Sequence, residues 1–420
     1  MSKETFSYEK PMRILIYSYN YHPEPNGIAP LITELAEGLV KRGHQVRVVT
    51  AMPSYPRRRI YEEYRGKLYL TEQKNGVTIQ RSYIRVKPQP NLIDRILFDS
   101  SFVLTSFFPS LKGWKPDVIF LTIPPLPACV PAVFLAKLFG CPLVLNVQVI
   151  LSEAAAKVGI LGNSWLLQAF ESLEKWAYRQ ANKISVITDE FTDYLVKQGV
   201  PASKIVCIPN WVDVNFIRPL PQQNNSFRHN HNLQEKFVVL YAGNIALTEG
   251  LETVIETAVR LKHLPEIVFV IVGEEKALQN LQSYSQNCGA DNLKFFPFQP
   301  REKLPEMLAA ANIGLIMQKR NVTVYNMPSK TPVWLASGRP IIASVPPNSP
   351  AARAIQQSQG GVIVPPEEPD SLAKAILDLY ANPSKAERLS QQGRQFAMDY
   401  YSLEQALNQH EALFSSHSLP

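Results

Sequence analysis

The chain has 420 residues, 45% hydrophobic and 19% charged, which excludes a disordered polymer and leaves room for two domains with separate cores. Its four cysteines, Cys129, Cys141, Cys207 and Cys288, form no CxxC pair, which suits a reducing compartment and argues against a zinc site. The net charge of +7 is uneven, with 25 Lys and Arg against 17 Asp and Glu in residues 1–210 and 18 against 19 in residues 211–420. The two halves are therefore expected to meet different partners, and an anionic lipid headgroup or lipid-linked phosphate would suit the first.

Glu4, Glu9, Lys10 and Arg13 interrupt the N-terminal segment, so no signal peptide is read there. No stretch offers the run of about 18 uncharged apolar residues that a spanning helix needs. The nearest, 121–138, is broken by Pro124, Pro125, Pro127 and Pro131. A cytoplasmic protein is expected.

Short apolar runs alternate with amphipathic stretches along the whole chain, the pattern of parallel βαβ units. RILIYSY (13–19), QVRVVT (45–50), DVIFLT (117–122), LVLNV (143–147) and KISVIT (183–188) are the predicted strands of the first half. LITELAEGLVKR (31–42), closed by Gly43, and WLLQAFESLEKWAYRQ (165–180) are predicted helices between them. A polar, proline-bearing link follows at 218–236. Beyond it the predicted strands are FVVLYAG (237–243), IVFVIVG (267–273), LKFFPF (293–298), IGLIM (313–317), PIIAS (340–344) and GVIVP (361–365). The expectation is an α/β chain of two doubly wound, Rossmann-like sheets, with ligands at the strand carboxyl ends. The domains are set at 1–207, a hinge at 208–236, a second domain at 237–383, and terminal helices at 384–420 that pack in part on the first domain.

Three loops are candidates for a shared site. Gly27 lies in the turn after the first strand, where a missing Cβ lets amides approach an anion. Gly243 and Asn244 follow strand 237–242, and the amides of 243–246 are expected to form a concave anion site, with Asn244 and Thr248 adding neutral hydrogen bonds. In NMPSKTPVWLASGRP (326–340), Ser329 is placed to cap a helix carrying Pro332 in its first turn, and Lys330 adds a full charge beside the helix N-terminus.

These segments, with RILIYSYNYHPEPNGIAP, ELAEGLVKRGHQVRVVTAMPSYP, IFLTIPPLPA, IPNWVDVNFIRP, FVIVGE and GGVIVPPEEPDSLAKAI in the same order, resemble the GT-B glycosyltransferases of family GT4 (group 1), and most closely their colanic-acid-type branch. The resemblance covers roughly residues 12 to 400. It implies that a nucleotide diphosphate sugar binds the second domain and an acceptor the first, across a cleft. Gly243, Asn244 and Lys330 would contact the diphosphate, with Lys330 the catalytic charge. Gly27 would lie by the transferred sugar, and Thr248, Gly273, Glu274, Ser329, Val333 and Trp334 would complete the donor site. Residues 208–213 would sit at the hinge.

The acceptor would be a lipid-linked or oligosaccharide glycan, with His22, Asn26, Arg95 and Phe107 as its contacts. Segment 92–114, with Ile93, Ile96, Leu97, Val103, Leu104, Phe107 and Phe108 among Arg85, Lys87, Arg95, Lys112 and Lys115, suits peripheral contact with a membrane's inner face, or burial against the sheet. No metal, other cofactor or nucleic acid is expected.

The chain departs from the family pattern at the donor site. Val333 replaces the Glu that binds ribose hydroxyls, and Tyr325 its partner acid. Thr248 stands for a basic residue, Val149 for an Asp, and VGEE (272–275) lacks a second glycine. A retaining transferase needs no enzymatic nucleophile, so losing the ribose acid touches affinity more than chemistry, while the charge at the phosphates rests on Lys330. Two readings remain beside it: a non-catalytic partner in the same polysaccharide machinery, and a nucleotide-sugar epimerase, which would need acid/base side chains in the cleft.

Overall fold

The computed structural model describes residues 10–25, 27–56, 58–150, 164–246, 248–322 and 327–416. It divides into two compact units, Met1–Pro209 with Ala406–Pro420, and Asn210–Gln405. Both are parallel-sheet, Rossmann-like α/β units.

The first unit's sheet has β1 (Arg13–Tyr17), β2 (Gln45–Ala51), β3 (Tyr69–Lys74), β4 (Val77–Ser82), β5 (Val118–Ile123), β6 (Leu143–Val147), β7 (Lys183–Val186) and β8 (Ile205–Cys207). Their order is β3-β4-β2-β1-β5-β6-β7-β8, parallel except for the β3–β4 hairpin. β1 and β5 are almost wholly apolar and buried, as strands covered on both faces must be. The hairpin and β8 were not among the predicted strands. The hairpin's signal was nonetheless present: Asn75-Gly76 takes the two positive φ values, 49° and 81°, that a tight two-residue turn demands.

The second unit holds β9 (Phe237–Ala242), β10 (Ile267–Gly273), β11 (Leu293–Pro297), β12 (Ile313–Met317), β13 (Ile341–Ser344) and β14 (Gly361–Val364), all parallel, in the order β11-β10-β9-β12-β13-β14. Each coincides with a predicted strand to within a residue or so. The segment 210–236 is not a free link. Ile217, Phe227 and Leu233 are buried in the second unit's core. Arg228 anchors the segment by donating to the carbonyls of Ala310 (2.9 Å), Leu233 (3.1 Å) and Lys236 (3.1 Å).

The stretch 384–414 is two helices, Pro383–Tyr400 and Leu403–Ser415. From Ala406 onward the last helix belongs to the first unit. There Leu407 fills the space over Gly38, and Glu411 pairs with Arg42 and with His44. His410 packs edge-on to Phe120, and its Nδ1 lies 2.7 Å from the Ala406 carbonyl.

Burial drives the His410 imidazole down to about 4. The unfolded chain then takes up a proton near pH 6.5 that the folded chain refuses, so stability present above pH 6.5 is lost as pH falls toward 4, by about 3 kcal/mol in full. Thermal midpoints measured from pH 7 to pH 4 should therefore fall more steeply for the parent chain than for His410→Asn; parallel curves would show that His410 is not the group responsible.

Candidate functional site

In the second unit the strand order reverses between β9 and β12, and the carboxyl ends at such a switch point form the natural crevice for a ligand. Gly243 leaves β9 there with φ 146°, a conformation that side chains resist. A Cβ on Gly243 would come within 2.7 Å of Lys330 Cε, so the missing side chain is what lets the lysine lie over the turn. Gly273, at the end of β10, does the same for the loop itself, since a Cβ there would meet Ile245 Cδ1 at 2.4 Å.

Lys330 begins the helix Lys330–Ser337. Its Nζ donates to the Tyr241 hydroxyl at 2.9 Å and to Glu249 Oε2 at 3.0 Å, and it stands 4.7 Å from the Tyr241 ring centroid. The Tyr241 hydroxyl passes its own hydrogen to the Asn244 carbonyl at 2.6 Å. Burial depresses the Lys330 ammonium below the ordinary lysine range, and the Glu249 carboxylate opposes that fall. Burial, with Glu249 adding to it, raises the Tyr241 phenol.

The Gly243 amide donates to the Val272 carbonyl at 3.1 Å and belongs to the sheet, so it drops out of the anion site expected over 243–246. The next three amides, of Asn244, Ile245 and Ala246, make no hydrogen bond among the described residues. Successive free N–H groups in a glycine-led turn are a ready anion cradle, here beside an ammonium.

Other expectations need correction. Ser329 does not cap the helix with its side chain: its backbone is already helical (φ −59°, ψ −18°), whereas a capping side chain needs an extended residue. Trp334 is not on a ligand surface. It is 1% exposed and lies against Gly314 of β12, where a Cβ would stand 2.4 Å from the indole. Val333 is half-buried against the same core. Thr248 and Glu274 are exposed; the Thr248 carbonyl accepts from the Lys319 amide at 2.8 Å, and Glu274 precedes the helix Glu275–Cys288 without capping it. Asn26 and Tyr325 lie outside the described residues.

Sequence reasoning passed over Glu249, Tyr241 and Lys319. Glu249 sat unassigned next to Thr248, because its pairing with Lys330 spans 81 positions. Lys319 follows β12, and its side chain runs 3.0 Å from where a Cβ on Gly250 would be.

In the first unit Gly27 is exposed with φ 67°, and a Cβ there would meet open space; the positive φ, rather than crowding, calls for glycine. The His22 amide donates to Thr33 Oγ1 at 3.1 Å, its carbonyl accepts from Arg81 at 2.6 Å, and its Nε2 touches Lys74 Nζ. Burial, then Lys74 and Arg81, lowers the His22 imidazole, so it meets Lys74 as a neutral acceptor. Phe107 packs its ring against Phe108 and Phe134, with centroids 5.6 and 5.5 Å away, and Arg95 is exposed on the same helix, Leu92–Ser110.

Residues 26–211 match the glycosyl transferase 4-like domain, and residues 222–396 the glycosyl transferases group 1 domain. A putative colanic acid biosynthesis glycosyl transferase of Escherichia coli is 32% identical over 87% of this chain and 91% of its own. A GDP-mannose-dependent phosphatidylinositol monomannoside mannosyltransferase of Mycolicibacterium smegmatis is 24% identical over 47% of this chain and 53% of its own. Among solved structures, Anabaena HepE in complex with UDP and glucose superposes with a TM-score of 0.71 at 16% identity, covering 96% of this chain and all of that one. The free amides beside Lys330 at the second sheet's switch point sit within the group 1 match, and the chain belongs to the GT-B glycosyltransferases of group 1, family GT4, in the branch of the colanic acid enzyme.

Proposed function

We propose that this glycosyltransferase moves a hexosyl group from a nucleotide diphosphate sugar, held on the second unit, to a lipid-linked or oligosaccharide acceptor on the first, with retention, at the inner face of the plasma membrane. One observation carries the donor half: three consecutive amides without a partner among the described residues, Asn244 to Ala246, in the turn led by Gly243, over which Lys330 lies. A diphosphate gains charge as it leaves, and fixed donors aimed at that charge lower the barrier. The bond from the anomeric carbon to the phosphate oxygen breaks as the acceptor oxygen bonds on the same face, and the acceptor's proton passes to the departing phosphate. The step takes its charge neutralisation from Lys330 and the amides and calls for no metal. Relatives named for UDP-glucose and for GDP-mannose support a sugar nucleotide, without choosing between the bases.

Among the described residues no helix is long and apolar enough to cross a membrane. Peripheral contact is supported by an exposed apolar face shared by two helices. Leu104 (69% exposed) and Phe108 (62%) stand out from Leu92–Ser110. Val130, Phe134 and Leu138, four residues apart, form a stripe along Cys129–Phe139, with Lys112 and Lys137 nearby in sequence. Leucines and phenylalanines flanked by lysines are the composition of an interfacial surface.

The test is a panel of UDP- and GDP-sugars incubated with phosphatidylglycerol vesicles bearing a polyprenyl diphosphate-linked glycan. One donor should release its nucleoside diphosphate only when the glycan is present, giving a product with the donor's anomeric configuration. The protein should sediment with the vesicles, and Phe108→Ser with Phe134→Ser should leave it in solution. Release from no donor would defeat the reading, and donor conversion without acceptor would favour an epimerase.

A further inference from the structure

The loop that follows β9 begins at Gly243 and ends at Gly250, and a lysine side chain lies over each glycine. Lys330 covers Gly243; Lys319 covers Gly250, where a Cβ would stand 3.0 Å from Lys319 Cγ and 3.6 Å from its Cε. Gly250 is buried with φ 66°, so its backbone favours glycine and the lysine stem fills the space a side chain would take. Topology brings Lys319 there. It follows β12 by two residues, and β12 and β9 are the neighbouring strands whose carboxyl ends form the switch-point crevice. The Lys319 amide donates to the Thr248 carbonyl at 2.8 Å, which ties the end of β12 to the loop.

The three cations near this crevice are not equivalent. Lys330 is paired with Glu249 at 3.0 Å, so together they bring no net charge. Arg320 has its amide on Glu367 at 3.0 Å and its guanidinium 3.8 Å from Glu368. The Lys319 ammonium makes no hydrogen bond or ion pair among the described residues, although Glu249 and Glu252 stand on either side of the glycine it covers. It is the uncompensated charge of the three. A diphosphate carries more negative charge than an ammonium already offset by a carboxylate can neutralise. Thr248, which stands for a basic residue in the family pattern, adds none.

We propose that Lys319 is a donor-binding residue: it supplies, from the end of β12, the positive charge that position 248 lacks, and meets the diphosphate across the loop from Lys330. The inference rests on the donor half of the reading above and divides its electrostatics between two lysines. Lys330, oriented by Glu249 and Tyr241, is the fixed donor, and Lys319 brings the net attraction. Glycine at 250 is what allows a long, unbranched stem to cross the loop backbone and deliver its ammonium there.

The test is calorimetric titration of the full chain with UDP and with GDP. Lys319→Met keeps an unbranched stem over Gly250 and removes the charge. It should weaken the tighter-binding nucleotide about ten- to a hundredfold, the loss of one charge-assisted hydrogen bond, and leave the thermal midpoint unchanged. Lys319→Arg should hold the affinity within a few-fold of the parent, and added salt should weaken the parent more than Lys319→Met. Undiminished binding by Lys319→Met would overturn the proposal and leave the stem as a cover for Gly250. Equal weakening by Lys319→Met and Lys319→Arg, with a lowered midpoint, would overturn it too, making the lysine a support for the loop. A parent chain that binds neither nucleotide would defeat the donor reading and this inference with it, so the parent's own titration tells the two failures apart.

Discussion

Lys330→Ala should lower kcat about a hundred- to a thousandfold on the donor that the parent chain uses, the usual loss when one fixed donor to a developing oxyanion is removed. Its ammonium is positioned from both sides, by the Tyr241 hydroxyl at 2.9 Å and Glu249 at 3.0 Å. The substitution also strands a largely buried carboxylate, since Glu249 is only 15% exposed. An uncompensated Glu249 would lower the rate as well, apart from any missing contact to phosphate. Combining Lys330→Ala with Glu249→Gln separates the two. If Lys330 acts on the leaving group, the double variant stays as slow as the single one. Recovery of the parent rate would reduce Lys330 to the counter-ion of Glu249.

The second large effect is structural. Trp334→Ala should destabilise the second unit by about 3–5 kcal/mol, the cost of emptying a large aromatic site in a packed core. The indole is 1% exposed and presses on Gly314, the second residue of β12, in the cluster that also holds Leu240, Ile316 and Leu335. A chain of two units need not unfold in one step, so the change should be followed in the transition assigned to the second unit. Nucleoside diphosphate affinity of the still-folded variant should be nearly unchanged. A stability loss below about 1 kcal/mol with a large loss of affinity would put Trp334 back on the ligand surface.

Trp334 also shows where sequence reasoning stops. Successive residues on a helix differ by about 100° in direction, so knowing that 330–337 borders the site does not say which of Val333 and Trp334 faces it. Gly314, some twenty positions earlier, decides that by leaving room for the indole. The strands of the second unit were legible because each is a short apolar run with turn residues at its ends, and a buried parallel strand can be little else. β3 escaped because it is an edge strand with an exposed, polar sequence, YLTEQK, which lacks that run. Its Asn-Gly turn was the better signal.

The donor site was legible as a set of loops, though not as a set of contacts. Gly243 and Lys330 are 87 positions apart, yet the glycine's bare Cα is what admits the lysine. The absence of an acid at 333 drew attention in the sequence; the structure instead brings a carboxylate to the lysine from the other loop, Glu249. That carboxylate orients the ammonium, and a diphosphate must compete with it.

The most direct measurement is a crystal structure of the chain with the nucleoside diphosphate released in the transfer assay. The phosphate oxygens should lie within about 3 Å of the amides of Asn244 to Ala246 and of Lys330 Nζ. Phosphates bound elsewhere, with Lys330 still seated on Glu249 and Tyr241, would contradict the donor site described above.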